Sequence, residues 1–204
     1  MTIYIIIITA IVSILAFSNH HLMDKLKFNA YFVKHSSEGW RFLSYGLVHA
    51  DWVHLVINMF VLYSFGSAVE YYYGYFFPSK SLFYYFLLYV GGLAMSVLSS
   101  FGKHKDNVYY NAVGASGAVS AVVFASIVFN PMAPIRFIFI PIDIPAFMFG
   151  AAYLFYSWYM ARKGNDSIGH DAHFWGAIFG IAFTIALKPT LATYFISRLF
   201  ASIV

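Results

Sequence analysis

Ser116 stands in the run NAVGASGAVSAV (residues 111–122), flanked by Gly114, Ala115 and Gly117 in an otherwise apolar stretch. A serine hydroxyl becomes a nucleophile when a base lies about 2.6–3.2 Å away, heavy atom to heavy atom. The candidate base is His173, in HDAHFWG (170–176). Two further polar residues, His54 and Asn58, lie in HADWVHLVIN (49–58) at a spacing of i, i+4, which puts them on one helix face. They could donate hydrogen bonds to an oxyanion, together with the backbone N–H of a serine at a helix start. Nucleophile, base and oxyanion donors make a complete set for acyl transfer. No cysteine is present, so a thiol nucleophile, a disulfide framework and a thiolate metal site are all excluded. Asp171 lies two residues from His173 and points elsewhere on a helix, so the expected arrangement is a Ser116–His173 dyad.

Composition says what must hold these residues. The 204 residues are 61% hydrophobic and 22% aromatic, and only 10% are charged. A mean hydropathy of +0.73 goes with apolar runs too long and too many for a soluble core. The expected fold class is an all-α membrane protein, a single domain over 1–204. The net charge of +4 comes from twelve Lys and Arg scattered between apolar runs. Membrane lipid is the partner this suggests, and nucleic acid is not. Residues 3–17 read as a retained first span, because no basic residue precedes them and no clear cleavage site follows.

Helices are predicted near 3–17, 52–73, 82–101, 113–130, 144–161 and 172–187. A long first loop covers 18–51, and the tail, 188–204, is expected to lie on the membrane surface because it holds Arg198. Breaks fall at Pro78, at GKHKDN (102–107), at Pro131, Pro134, Pro141 and Pro145, and at RKGNDSIGHD (162–171). With six spans, the second, fourth and sixth enter from the same side. Their first turns carry His49, His54 and Asn58, then Ser116, then His170, Asp171 and His173. Gly114 and Gly117 thin the start of the fourth helix, and Gly176 and Gly180 share a face with His173 on the sixth. Small residues let backbones approach closely, which a Ser–His contact requires. GASG alone would more simply be helix packing, and His170-x-x-His173 has metal-ligand spacing but no third ligand, so no metal and no cofactor are expected. It is the conjunction of the three groups that points to catalysis.

At these residues the sequence resembles the rhomboid family of intramembrane serine proteases. The resemblance runs through Trp40–Arg41, HxxxxHxxxN (His49, His54, Asn58), FGSAVEYYYG (Gly66, Glu70, Gly74), GASG, and HxxGxxxG (His173, Gly176, Gly180). It implies a six-transmembrane-helix bundle that cleaves a peptide bond in or near a substrate's transmembrane helix. Ser116 would be nucleophile and His173 base, with His54, Asn58 and the Ser116 N–H forming the oxyanion hole. Arg41, His49 and Glu70 would be supporting, with Arg41 and Glu70 a candidate pair holding the first loop. The loop at 162–171 would act as a mobile cap. Transmembrane proteins would be the substrates.

The sequence departs from the family at one place. Many rhomboids carry a tyrosine four residues after the nucleophile, packed on the catalytic histidine, and here that residue is Ser120. Phe124 and Trp175 are the candidate replacements. Rival chemistries lack their signatures: HExxH is absent, and no pair of aspartates lies in spans. The alternative is a catalytically inactive rhomboid-like protein that binds membrane helices. Eight Lys and Arg flank the catalytic side against four on the other, which by the positive-inside rule would turn the site to the cytoplasm. The resemblance implies the reverse for bacterial members: a multi-pass cell-membrane protein with cytoplasmic termini and a site opening outward. That is the expectation adopted.

Overall fold

A computed structural model describes residues 1–137, 140–163 and 169–201. Ten helices appear among them: α1 (Thr2–Ser18), α2 (His20–Leu26), α3 (Ala30–His35), α4 (Arg41–Ser44), α5 (Trp52–Phe76), α6 (Ser81–His104), α7 (Ser116–Phe129), α8 (Ala146–Lys163), α9 (His170–Leu187) and α10 (Thr190–Ala201). Each of the six apolar runs has become a helix. Asp51 starts α5 by accepting a hydrogen bond from the His54 N–H at 2.8 Å, and Asn19 and Asn29 cap α2 and α3 in the same way.

The helices are built inside out. On α1 the buried positions are Thr2, Thr9, Ser13 and Ala16, while Ile3, Ile7, Ile11 and Ile14 are exposed. On α5, Val53, Val56, Ile57 and Phe60 are exposed beside buried Asn58 and Gly66. Small and polar residues facing the bundle, with large apolar ones facing out, is the pattern of a protein dissolved in lipid. Among the described residues, α5 and α6 are long and apolar enough to cross a membrane. Helices α9 and α10 pass that test only together, and they meet at a 112° bend beside Pro189. The shorter α1 and α7 are also apolar, at 17 and 14 residues. This is a helical, membrane-embedded protein.

Two expectations are corrected. The chain is not purely helical, because an antiparallel hairpin joins α7 to α8: β1 (Pro134–Phe137) and β2 (Ile140–Pro145), closed by Pro134 opposite Pro145. Alternation around the isoleucines favours strands, and those two prolines sit at the ends, where a missing N–H costs no ladder bond. Arg136 grips Asp143 through two hydrogen bonds of 2.8 Å and holds that carboxyl below its ordinary pKa. Arg41 and Glu70 do not pair with each other. Arg41 is buried in the first loop, with Nε on Glu38 at 2.5 Å and Nη1 on the carbonyls of Asp24 and Lys27 at 2.8 and 2.7 Å. Glu70 instead binds the Met1 amine at 3.0 Å and the Thr2 N–H, joining α1 to α5. Three residues after Glu38, Arg41 is a local partner, whereas Glu70 lies about five turns along α5.

Candidate active site

Helix α7 is the centre of the molecule. Twelve of its 14 residues are buried, against α5, α6 and α9. Ser116 is its first residue, at the end where helical N–H groups lack intrahelical partners. Non-helical chain leads into it, and backbone of that kind at membrane depth must find partners within the protein. The first loop supplies them. Phe28 and Ala112 exchange two backbone hydrogen bonds of 2.9 and 3.0 Å, and the Gly114 N–H donates to the Tyr45 carbonyl at 3.0 Å. The Ala115 N–H donates to His49 Nε2 at 3.3 Å. Since Nε2 accepts, His49 carries its proton on Nδ1, which faces Ser13 Oγ at 3.0 Å, and Ser13 in turn donates to the Leu47 carbonyl at 2.8 Å. Burial also pushes the His49 pKa down, in keeping with a neutral ring. His49 thus fixes the residue before Ser116 against α1.

Two glycines at this corner are required for different reasons. Gly114 has φ +106°, a conformation that side chains rarely adopt, and a Cβ there would sit 2.5 Å from the Cε1 of His54. The His54 ring therefore lies directly over the loop that delivers Ser116. Gly117 faces Ser96 of α6 and the Ala172 carbonyl of α9. A Cβ on Gly176 would come within 3.0 Å of the Gly117 carbonyl, and one on Gly180 would do the same at the backbone of Ala121. Helices α7 and α9 are thus in backbone contact along HxxGxxxG, one helical turn beyond His173.

Other contacts set the remaining groups. Asn58 is buried and gives one amide hydrogen to the His54 carbonyl at 2.8 Å, which leaves its second hydrogen for another acceptor. Asp171 receives Lys103 at 2.5 Å and Ser99 at 3.0 Å, so it pins the start of α9 to the end of α6 and does not serve His173. The two histidine pairs make edge contacts, His49–His54 at 4.9 Å and His170–His173 at 6.1 Å between centroids. Among the described residues, no third His, Cys, Asp or Glu joins His170 and His173 as a metal-binding group. Nor does any hydrogen bond join Ser116 to His173; contacts of this kind often tighten only when substrate binds. Half of the expected cap at 162–171, residues 164–168, lies outside the described residues.

A family model, the Rhomboid domain, matches residues 36–190. The chain belongs to the rhomboid family. A comparison with curated proteins gives no match. The matched stretch of this rhomboid takes in the second half of the first loop, the hairpin and every candidate site residue.

Sequence reasoning missed Tyr153, which lies in α8 and stacks on His173 with centroids 6.2 Å apart and an interplanar angle of 27°. Neither expected replacement does this: Trp175 is exposed, and Phe124 packs on Tyr153 itself. In the aromatic run YLFYSWY (153–159) nothing marks one tyrosine above another. Ser96 was also missed; its Oγ is turned onto the Gly92 carbonyl at 2.5 Å, which lets Gly117 and Gly176 close in.

Proposed function

We propose that this rhomboid is an intramembrane serine protease, a six-span bundle of α1, α5, α6, α7, α8 and α9. Ser116 attacks the scissile carbonyl while His173 takes its proton and later delivers it to the leaving amine. The backbone N–H of Ser116 and the side chains of His54 and Asn58 hold the oxyanion. The observation that carries this reading is the backbone contact of α7 with α9 at Gly117 and Gly176, beside a serine at a helix start whose loop lies under His54.

Helix length supports it too. Fourteen residues span about 21 Å at 1.5 Å each, short of the roughly 30 Å of a hydrocarbon core. Ser116 then sits below the membrane surface, where a polar cavity must admit the water that hydrolysis consumes. Transmembrane proteins are the substrates. The termini face the cytoplasm and the site opens to the extracytoplasmic side.

Labelling by a fluorophosphonate tests the dyad without a known substrate. Wild type should label, while Ser116→Ala and His173→Ala should not, at unchanged thermal stability. A folded wild type that resists the probe would overturn the protease reading in favour of an inactive rhomboid-like protein that binds membrane helices.

A further inference from the structure

Helix α8 touches the rest of the protein along a narrow line. Its buried residues are Ala146, Gly150 and Ser157, and Tyr153 falls on the same face, while Met148, Phe155, Tyr156 and Trp158 are exposed. Gly150 lets the helix come close to Ile127 and Phe124 of α7, where a Cβ would meet side chains at 3.1 and 3.2 Å. Within that line lies a polar link, Ser120 Oγ to Tyr153 Oη at 2.7 Å, between a buried serine of α7 and the ring that stacks on His173. The tyrosine is packed from its other sides by Phe124 at 5.7 Å and Phe149 at 5.9 Å, which limits its rotation.

We propose that Tyr153 is the positioning residue for His173, held by Ser120, so that the base is oriented only while α8 is docked on α7. The inference rests on the protease reading of Ser116 and His173. Ser120 is too short to reach His173 as a ring would, and the space it leaves beside the imidazole is filled from α8. A ring offset-stacked on an imidazole restricts its χ2 rotation and leaves the ring nitrogens at its edge free to face Ser116. The hydroxyl pair fixes the ring's height along α8, since moving α8 away would leave two hydroxyls without partners in an apolar setting. Among the described residues, α8 meets α7 through this hydroxyl pair and a thin apolar line, and it also packs on α9, where Tyr156 lies edge-on to His170. Where α8 leaves, His173 loses its stack.

Two readouts test this on the full chain in detergent micelles: the pH profile of the fluorophosphonate labelling rate, and the ring resonances of His173 in protein labelled at histidine, assigned with His173→Ala. The other titratable groups facing His173 are His170 on α9 and His54 on α5, and α7 carries no charged residue. Tyr153→Leu should move the His173 ring resonances through loss of the neighbouring ring current. It should also displace the inflection of the labelling profile and lower the labelling rate about tenfold or more. Tyr153→Phe keeps the ring and should lower the rate only a few-fold, as should Ser120→Ala. Adding Ser120→Tyr to Tyr153→Leu offers a ring from α7 and should restore part of the rate. Unmoved His173 resonances, or an unchanged rate and inflection in Tyr153→Leu, would overturn the proposal. If wild type resists the probe, the protease reading fails, and the resonances still decide whether Tyr153 packs on His173.

Discussion

Replacing Gly176 by alanine adds one methyl where α7 and α9 meet. The new Cβ would lie 2.8 Å from the Gly117 carbonyl carbon and 2.8 Å from Ser96 Oγ, with the Gly117 carbonyl oxygen nearer still. Ordinary contact begins at 3.4 Å, so α9 must retreat from α7 by 0.6 Å or more. The obstruction is backbone, which has no rotamer to change. Overpacking of this kind costs about 1–3 kcal/mol of stability. Its effect on chemistry should be larger, because a misplacement of about 1 Å can cost on the order of 10² in rate, and His173 sits one turn from the methyl. The expected loss is about tenfold or more in labelling rate for protein that remains folded. Gly74→Ala is the control: nothing lies within 4 Å of its Cβ, so activity should hold, and helix propensity should raise stability by about 0.5–1 kcal/mol. Thermal melting and probe kinetics on both variants decide the matter. A folded Gly176→Ala protein that labels at the wild-type rate would refute the idea that thin helices set the distance from nucleophile to base.

On the proposed reading, in which Asn58, His54 and the Ser116 N–H share the oxyanion, Asn58→Ala should slow cleavage of a transmembrane substrate on the order of 10²-fold. Loss as complete as in Ser116→Ala would assign Asn58 a larger part than a single donor. Arg41→Ala strands Glu38 and two carbonyls in the first loop and should cost about 3–5 kcal/mol, read as a lowered melting midpoint. A midpoint within a degree of wild type would contradict that. Lys34, first by hydrogen bonding, holds the Asp106 carboxyl below its ordinary 3.8, so the tie from α3 to the chain after α6 is full above that value. It is lost as pH falls through the lowered value. The pair is exposed, so salt should weaken it. Protease nicking of the first loop should rise only in acid, and Asp106→Asn should nick equally at all pH.

What the sequence made legible follows from where each signal is local. The six helices stood out because each is a long apolar run closed by charge or proline, and the dyad candidates because parity carries three polar groups to one side. Pairing across the fold was less visible. Arg41 and Glu70 have opposite charge and invite a pair, yet Glu38, three residues from Arg41, claims the guanidinium first. The hairpin was hidden by its own prolines, two of which, Pro134 and Pro145, read as breaks until their position at the strand ends is known. Tyr153 was hidden by its company, since only the tertiary fold turns one aromatic of α8 toward His173.

The first loop gains a purpose from the same geometry. A serine placed at depth on a short helix, as proposed for Ser116, requires an irregular approach, and such an approach leaves N–H groups that lipid cannot satisfy. Tyr45, His49 and Phe28 accept those hydrogens, while Ser13 and the Leu47 carbonyl hold His49 in place. The loop therefore belongs to the candidate active site as its backbone partner. This makes His49 more demanding than a packing histidine. Glutamine can accept the Ala115 N–H and should retain part of the activity, whereas phenylalanine fills the space and leaves that N–H unpaired. If His49→Phe and His49→Gln label equally fast, the hydrogen bond to Ala115 does not hold the nucleophile, and packing against α1 alone must suffice.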